Sequence, residues 1–408
     1  MTLTSSTSRT GLRFWLTAYT LLILLTGTNL PTPLYRGYAE RFGFSPLMVT
    51  VIFAAYIAAL IPSLLIAGPL SDAVGRRRVL IPAVGIAALG LVAFALADGT
   101  GWLFAARILQ GLALGAASGP LTAALVELEP SGNQRKAALV ATAASIGGLG
   151  LGPLLAGALA QLAPAPFVLP FVVELVLLIP AVFAIFGLPR AATTTRWRPR
   201  RPQIPPQMRA VFAVSGTASF LAFSVIGLFL ALLPAYVTLL SGSTNLLLGG
   251  ALVALMLLCS VLAQICGYGR SAYLLSRTGL PALALGLALL AVAGELSSLP
   301  LVVTASVIGG IGHGLVFLGG LTAVNEAAPA DRRAESVSSF YVIIYCGVGI
   351  PVIGLGVLAA NIGLITAVRD FALVVAALSV GMLVALIRTR RRTAGSATSH
   401  QESVSEEG

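Results

Sequence analysis

Twelve runs of apolar residues, each long enough to cross a lipid bilayer as a helix, dominate this sequence. A hydrocarbon core of about 30 Å requires about 20 apolar residues in helical conformation. Only 10% of the 408 residues are charged and 57% are hydrophobic, which leaves too little polar surface for a water-soluble protein of this size. A transmembrane β-barrel would show alternating segments of about 10 residues, which this sequence lacks. The runs lie at about 14–30, 48–67, 79–97, 102–126, 137–162, 167–188, 210–240, 246–267, 279–296, 300–325, 335–360 and 365–387.

The basic residues predict which side of the membrane each loop faces. The segments that share a side with both termini hold most of the Lys and Arg, whereas the opposite segments hold Arg36, Arg41 and Arg369. Basic loops stay in the cytoplasm, so we expect both termini to be cytoplasmic and the protein to lie in the cytoplasmic (inner) membrane. This topology accounts for the net charge of +11. No basic helix carries interleaved aromatic residues, so nucleic acid is not an expected partner.

The first apolar run and the cysteines have simple interpretations. Arg9 and Arg13 precede the run as in a signal peptide, but no clean cleavage site follows, so we interpret the run as an uncleaved first helix. Cys259, Cys266 and Cys346 fall inside apolar runs and suggest small buried residues. Neither a disulfide framework nor a metal site is indicated, and no cofactor is expected.

A stretch rich in Arg and Pro, "RAATTTRWRPRRPQIPPQMR", interrupts the apolar pattern at 190–209. It predicts a cytoplasmic linker between two domains, an N-terminal six-helix bundle at 1–189 and a C-terminal six-helix bundle at 210–392. The Ser- and Glu-rich tail, 393–408, has the composition of a disordered segment.

The two halves share a pattern. The runs that begin at Arg135 and Arg333 each start with a basic residue, have a Gly-rich middle and carry a proline, Pro153 or Pro351, eighteen residues after that arginine. Two repeats around a central site are a recurrent plan of transporters. Channels and receptors can also arise by duplication, so the repeat alone does not decide the function.

The turn "GPLSDAVGRRR", Gly68 to Arg78, joins the second and third runs. Its glycines permit a tight turn, and its arginines fix the topology. Topology does not explain Asp72, because acidic residues contribute little to it. A carboxylate at a membrane edge requires an arginine or a helix N-terminus as partner. We expect that partner at the start of span 11, near 335–338, with Arg76 or Arg78 close by.

This turn resembles the signature of the major facilitator superfamily, roughly G-x-L-A-D-R-x-G-R-R/K. The sequence departs from it at Ser71 and Ala73. The resemblance implies an all-α membrane protein with twelve transmembrane helices in two pseudo-symmetric six-helix bundles, and it implies that the turn belongs to a conformational gate. The matching residues are Gly68, Leu70, Asp72, Gly75, Arg76 and Arg77.

Span 4 contains a second match, to the family pattern L-x-x-x-R-x-x-Q-G, through Leu103, Arg107, Gln110 and Gly111. An arginine inside a span is costly in lipid, so it should face an aqueous cavity or a partner. The alternative is an interfacial arginine that extends its side chain towards the membrane surface, beside Trp102. In the family this arginine is associated with proton coupling or substrate binding.

Span 5 contains a partial match to the family's antiporter signature, G-x-x-x-G-P-x-x-G-G. Ala156 and Leu139 replace expected glycines. Small residues allow close helix packing and a proline bends the helix, so ordinary tight packing is an alternative interpretation. The matching residues are Gly148, Gly152, Pro153 and Gly157.

Few titratable groups lie within the spans. Glu174 in span 6 and His313 in span 10 are the candidates for proton coupling, and Asn29 is the strong polar group at the outer end of span 1. In the family, spans 1, 4, 7 and 10 line the cavity, which would place Arg107 and His313 on opposite sides of one space. Span 1 lacks the acid that many drug–proton antiporters of the family carry.

These features favour a secondary transporter that works by alternating access and exports small amphiphilic molecules in exchange for protons, as a monomer. Uptake by symport or uniport is the alternative, and a channel or a non-transporting receptor is a further one. No His-Glu-x-x-His or Gly-x-Ser-x-Gly cluster lies in a span and no nucleotide-binding motif is present, so the sequence favours neither an enzyme nor an ATP-driven pump.

Overall fold

The structure is a computed structural model that describes residues 3–189, 204–243, 245–329 and 333–406. Twelve helices in these ranges are long and apolar enough to cross a membrane, which confirms the predicted number of spans. The helices of spans 1 to 12 are Leu3–Asn29, Pro46–Val74, Arg76–Ala95, Thr100–Leu128, Gln134–Leu162, Leu169–Phe186, Arg209–Ala231, Leu246–Gly267, Ala272–Glu295, Leu299–Ala327, Arg333–Ile362 and Leu364–Glu406.

Spans 1 and 7 are each followed by a short helix at the end of the bundle away from the termini. After span 1 the chain forms a 3₁₀ turn with Pro33 and then the helix Tyr35–Phe42. After span 7 it forms the helix Leu233–Ser241, which begins with Pro234. The prediction of one continuous span over 210–240 is wrong at this break, because a proline ring clashes with the preceding helical turn and lacks an N–H.

The sequence also determines where the helices begin. The side chains of Asn133, Asn245 and Ser271 accept hydrogen bonds from backbone N–H groups in the first turns of spans 5, 8 and 9. Gly75 separates spans 2 and 3 with a φ of 96°, a conformation that favours glycine.

The helix contacts repeat between the two halves. In the first half, span 4 packs on spans 1, 2 and 3, span 5 on span 1, and span 6 on span 3. In the second half, span 10 packs on spans 7, 8 and 9, span 11 on span 7, and span 12 on span 9. Each pair in the second half is the first-half pair shifted by six spans, which confirms the two pseudo-symmetric six-helix bundles.

The halves meet through two pairs of helices, span 5 with span 8 and span 2 with span 11. A Cβ placed on Gly250 of span 8 would lie 2.2 Å from the carbonyl oxygen of Pro153 in span 5. A Cβ on Gly356 of span 11 would lie 2.0 Å from Oγ1 of Thr50 in span 2. Both contacts lie in the part of the bundle away from the termini, so the halves are closed at that end.

The predicted linker and the predicted C-terminal tail are described only in part. The predicted linker, 190–209, lies outside the described residues as far as 203. Its last part is packed, since Met208 is fully buried and the Oγ of Ser336 in span 11 donates to its Sδ over 3.3 Å. The helix of span 12 is described as far as Glu406, and the predicted disorder of the tail at 393–408 stays a prediction.

Candidate functional site

Arg107 lies at the centre of a polar cluster inside the first half. Its side chain is 0% exposed, so it does not extend to the membrane surface. Its Nε donates to the hydroxyl of Tyr35, and its Nη1 donates to the carbonyl oxygen of Thr28 over 2.6 Å and to Oε1 of Gln110 over 3.0 Å. Gly111, one turn further, brings span 4 so close to span 2 that a Cβ there would lie 2.2 Å from the carbonyl oxygen of Tyr56.

Aromatic rings complete the surroundings of this guanidinium. Its carbon lies 5.3 Å from the ring centres of Tyr35 and Phe53, 5.4 Å from that of Tyr56 and 6.0 Å from that of Phe94. Cation–π contacts of this length stabilise a buried cation in part. Among the described residues Arg107 forms no ion pair, and its Nη2 has no hydrogen-bond partner. The site therefore holds a buried positive charge without a counter-ion.

Gln110 connects this cluster to Glu174 of span 6. Its Nε2 donates to the carbonyl oxygen of Gly27 over 2.8 Å, and Gly27 also lies against the carboxyl group of Glu174. A Cβ at position 27 would lie 3.2 Å from Oε1 of Glu174, so a glycine here makes room for the acid. Gln110, Gly27 and Glu174 line a cavity of about 20 Å³, enough for a single water molecule.

The carboxyl group of Glu174 is nearly isolated. The residue is 1% exposed, and neither of its oxygens has a well-formed hydrogen bond within the described part of the chain. Burying an unpaired carboxylate is costly, so the neutral acid is the favoured form in these surroundings. A change in solvation or in the distance to a cation would change the proton occupancy of this group.

His313 belongs to a second polar cluster, in the other half. Its Nδ1 lies 2.8 Å from the Oγ of Ser260, which also accepts a hydrogen bond from Nε2 of Gln264 over 3.2 Å. The rings of Phe223 and Phe317 lie at 5.0 and 6.3 Å from the imidazole. Nε2 of His313 is buried and has no partner among the described residues, so it can still form one hydrogen bond.

No hydrogen bond or ring contact in the described ranges joins Arg107 to His313. Tyrosines lie between the halves instead. Tyr56 contacts Arg107 and lies on span 2, which packs on span 11, the span that carries Tyr345. Tyr345 in turn packs near Tyr341, with ring centres 6.3 Å apart. The interface near the middle of the bundle is thus aromatic.

In the turn between spans 2 and 3, Arg76 connects the end of span 2 to the end of span 4. It donates to Asp72 and to the Oγ of Ser71, and its Nη2 lies 3.1 Å from Oε1 of Glu127 at the end of span 4. The expected contact of Asp72 with the start of span 11 is not among its described interactions. The partner of Asp72 is Arg76, four residues away, and 67% of the Asp72 side chain is exposed.

The other residues of this turn are loosely packed. A Cβ on Gly68 would meet nothing within 4 Å, and Leu70 is partly exposed. The guanidinium carbon of Arg77 lies 5.3 Å from the ring centre of Phe186 in span 6. The turn is therefore fixed to spans 4 and 6 of its own half.

The glycines of span 5 pack on two different partners. Gly148 and Gly152 face span 1, where a Cβ would lie 2.3 Å from the carbonyl oxygen of Leu22 and 2.4 Å from that of Thr26. Gly157, like Pro153, faces span 8 in the other half. Asn29 at the end of span 1 donates to a backbone carbonyl of span 5 over 3.3 Å. The motif thus joins span 5 both to its own half and to the opposite one.

The loop between spans 4 and 5 is held by Glu129. Burial raises the pKa of this carboxyl group, but hydrogen bonds from Lys136, Asn133 and Ser131 outweigh that effect and lower the pKa from 4.5 to about 2. Oε1 of Glu129 lies 2.9 Å from Nζ of Lys136.

Comparison with known proteins identifies the family. A family model described as the Major Facilitator Superfamily matches residues 16–294, more than half of the chain. The chain belongs to the Major Facilitator Superfamily. By its family this major facilitator is a transporter, and twelve of its described helices are long and apolar enough to span the membrane.

Two curated relatives are similar to parts of this major facilitator. The 3-(3-hydroxy-phenyl)propionate transporter of Escherichia coli (strain K12) is 38% identical over 81 residues, which are 20% of each chain. The puromycin resistance protein pur8 of Streptomyces alboniger is 36% identical over 160 residues, or 36% of this chain and 30% of that one. The match thus spans less than a third of either relative.

Solved structures share the fold at low identity. The peptide transporter POT in complex with sulfate has a TM-score of 0.78 at 15% identity, covering 93% of this chain and 94% of that one. The nucleoside transporter NupG has a TM-score of 0.72 at 14% identity, covering 92% and 99%. An inward-facing bacterial homologue of the lysosomal transporter Spinster has a TM-score of 0.71 at 16% identity, covering 93% and 95%.

The sequence analysis missed several residues of these clusters. Ser260 and Gln264 are polar residues one turn apart in an otherwise apolar span 8, a spacing that could have revealed them. The aromatic residues around Arg107 gave no such signal, because aromatic residues are common in apolar spans.

Proposed function

We propose that this protein is a proton-coupled exporter of small amphiphilic molecules in the cytoplasmic membrane, with both termini in the cytoplasm. The observation that carries the proposal is the pair Arg107 and Glu174. Both are buried in one half, neither has an ion-pair partner among the described residues, and Gln110 and Gly27 connect them. Ionisable side chains are retained inside a membrane at a high cost, which favours a role in substrate or proton handling.

Glu174 is the proposed proton carrier. In the described conformation its surroundings favour the neutral acid. When the halves rearrange, water entering the small cavity beside Gln110 would favour the carboxylate, and Arg107, which is hydrogen-bonded to Gln110, is a fixed cation that could attract it. A proton bound in one conformation and released in the other couples the conformational change to the proton gradient.

The aromatic surfaces between the halves support an amphiphilic substrate. Tyr56, Tyr345 and Tyr341 provide apolar ring faces with hydroxyl groups, and Phe223 lies beside the free Nε2 of His313. Rings bind apolar groups, and the few polar atoms fix the orientation of the substrate. Sugars would require a denser set of polar side chains.

The conformation supports alternating access. The halves are in contact away from the termini, whereas Gly68 and Asp72 on the terminal side face open space or solvent. With cytoplasmic termini this arrangement opens inwards, as the Spinster homologue does. Closing the terminal side would bring the turn that carries Asp72 towards span 11.

Uptake of an anion by proton symport is the second candidate. It is favoured by the unpaired Nη2 of Arg107, which could bind a carboxylate, and by the partial similarity to a hydroxyphenylpropionate transporter. The similarity to a puromycin resistance protein agrees better with export.

Flux into proteoliposomes distinguishes the two candidates whatever the orientation of the protein. The probes are labelled puromycin and 3-(3-hydroxyphenyl)propionate, with protein-free liposomes as the control for passive partitioning. Antiport predicts that an acidic lumen accelerates protein-dependent uptake of puromycin. Symport predicts that an alkaline lumen accelerates uptake of the carboxylate. If the protein-dependent flux of both probes has the same rate with and without a pH gradient, proton coupling is refuted.

A further inference from the structure

A cavity of about 350 Å³ lies between the two halves at the end away from the termini. This volume is in the range of small-molecule binding sites. Its walls come from both halves: Thr32, Tyr35 and Val49 on one side, and Leu232, Ala235 and Ala359 on the other. It is separate from the small cavity at Glu174.

The residues that line the cavity are mostly apolar, and one polar atom among them, the Oγ1 of Thr32, has no hydrogen-bond partner in the described part of the chain. Thr32 is 1% exposed. This oxygen has almost no accessible surface, so a ligand in the cavity reaches it after a rotation of the Thr32 side chain. An unpaired buried hydroxyl is uncommon and destabilising, so a ligand that pairs with it gains binding energy. The neighbouring Tyr35 hydroxyl already accepts a hydrogen bond from Arg107.

The charges at the mouth of the cavity do not favour an ionic ligand. Arg36 lines the cavity, but its Nε lies 2.8 Å from Oε1 of Glu40 in the same short helix. The positive charge is thereby paired. The remaining lining is made largely of aliphatic side chains and glycine.

The geometry points to a second ligand site here, which binds a neutral amphiphile with an apolar body and one hydroxyl or carbonyl group. This site goes beyond the proposed transport cycle, because it lies apart from the cavity at Glu174 and acts on the conformation of the closed end. Since each wall belongs to a different half, the cavity exists as described only while this end is closed. A ligand that fills it binds the closed arrangement better than the open one and holds the end shut.

The binding test uses the full-length protein in lipid nanodiscs and the probe 4-(4-fluorophenyl)-1-butanol, followed by fluorine NMR with empty nanodiscs subtracted. We expect saturable binding that Ala235→Trp abolishes by filling the cavity. Leu296→Trp, an exposed position at the same end, is the matched control and should leave binding unchanged. Thr32→Val should weaken binding about three- to tenfold, the value of one neutral hydrogen bond.

A labelling experiment tests whether a ligand in this cavity holds the end of the bundle shut. Leu247 lies at the contact of spans 5 and 8, outside the cavity lining. In a cysteine-free background, the probe should slow maleimide labelling of Leu247→Cys, and Ala235→Trp should remove this effect. If Ala235→Trp fails to fold, Ala359→Leu on the same wall, but in span 11, replaces it. The proposal is overturned if the probe shows no saturable binding. It is also overturned if Ala235→Trp and Ala359→Leu leave both the binding of the probe and its effect on labelling unchanged.

Discussion

The contact between Gly250 and Pro153 provides a quantitative test of alternating access. In Gly250→Ala the new methyl carbon would lie 2.2 Å from the Pro153 carbonyl oxygen and 2.9 Å from its carbonyl carbon. Ordinary contact begins at 3.4 Å, so spans 5 and 8 must separate by about 1.2 Å or the closed end must open. Overpacking of this kind costs about 1–3 kcal/mol. Because this cost falls on the closed arrangement, the ratio of open to closed molecules should rise about 5- to 150-fold.

The assay is the labelling rate of Thr50→Cys with a membrane-impermeant maleimide, in a background where the native cysteines are replaced by alanine. Thr50 is fully buried against span 11 at the same end of the bundle, but far along the interface from Gly250. Labelling should accelerate in Gly250→Ala by about the same factor as the ratio of open to closed molecules, when opening and closing are fast compared with the maleimide reaction and the closed form is the major one.

Two glycine variants make this result specific. Gly310→Ala creates a similar clash, 2.3 Å from the carbonyl oxygen of Met256, but within one half. It should lower the thermal unfolding midpoint without changing the labelling rate. Gly354→Ala meets nothing within 4 Å and should change neither. Equal labelling rates in Gly250→Ala and Gly310→Ala would refute the assignment of this contact to the closed end.

Three further variants test the clusters. Arg107→Lys removes the Nε donor to Tyr35 and should reduce flux about 10- to 150-fold, the value of one charged hydrogen bond, in a protein whose thermal unfolding midpoint is retained. Asp72→Asn removes only an exposed pair with Arg76, so it should change the labelling rate of the closed-end cysteine by less than about fivefold. The lowered pKa of Glu129 stabilises the folded state fully above pH 4.5, and this stabilisation is lost as the pH falls towards 2. Glu129→Gln should therefore show a smaller decrease in thermal unfolding midpoint over that pH range; an identical decrease would show that this carboxyl group is not responsible.

Hydropathy alone predicts the twelve spans, because a bilayer forces each crossing segment to be long, apolar and helical. The distribution of basic residues predicts the topology, and the repeat between the two halves predicts the pseudo-symmetry. The break at Leu232 could have been predicted from Pro234, which cannot continue a helix without disturbing the preceding turn.

The surroundings of the candidate site depend on contacts that no sequence pattern specifies. The burial of Arg107 depends on side chains from spans 2 and 3 and from the short helix after span 1, and on a backbone carbonyl near the end of span 1. The partner of Asp72 was expected at the start of span 11, with Arg76 or Arg78 close by, because a carboxylate at a membrane edge requires a helix N-terminus or an arginine. In the structure the cation that pairs with Asp72 is Arg76, one turn away.

The central claim, proton coupling through Glu174, is tested most directly by comparing two fluxes of Glu174→Gln. Exchange of labelled for unlabelled puromycin requires binding and the conformational change but no net proton movement. Uptake driven by an acidic lumen requires proton transfer as well. We predict that Glu174→Gln retains exchange and loses the response to the gradient, whereas the wild type shows both. A Glu174→Gln protein that still responds to the gradient like the wild type would contradict the account.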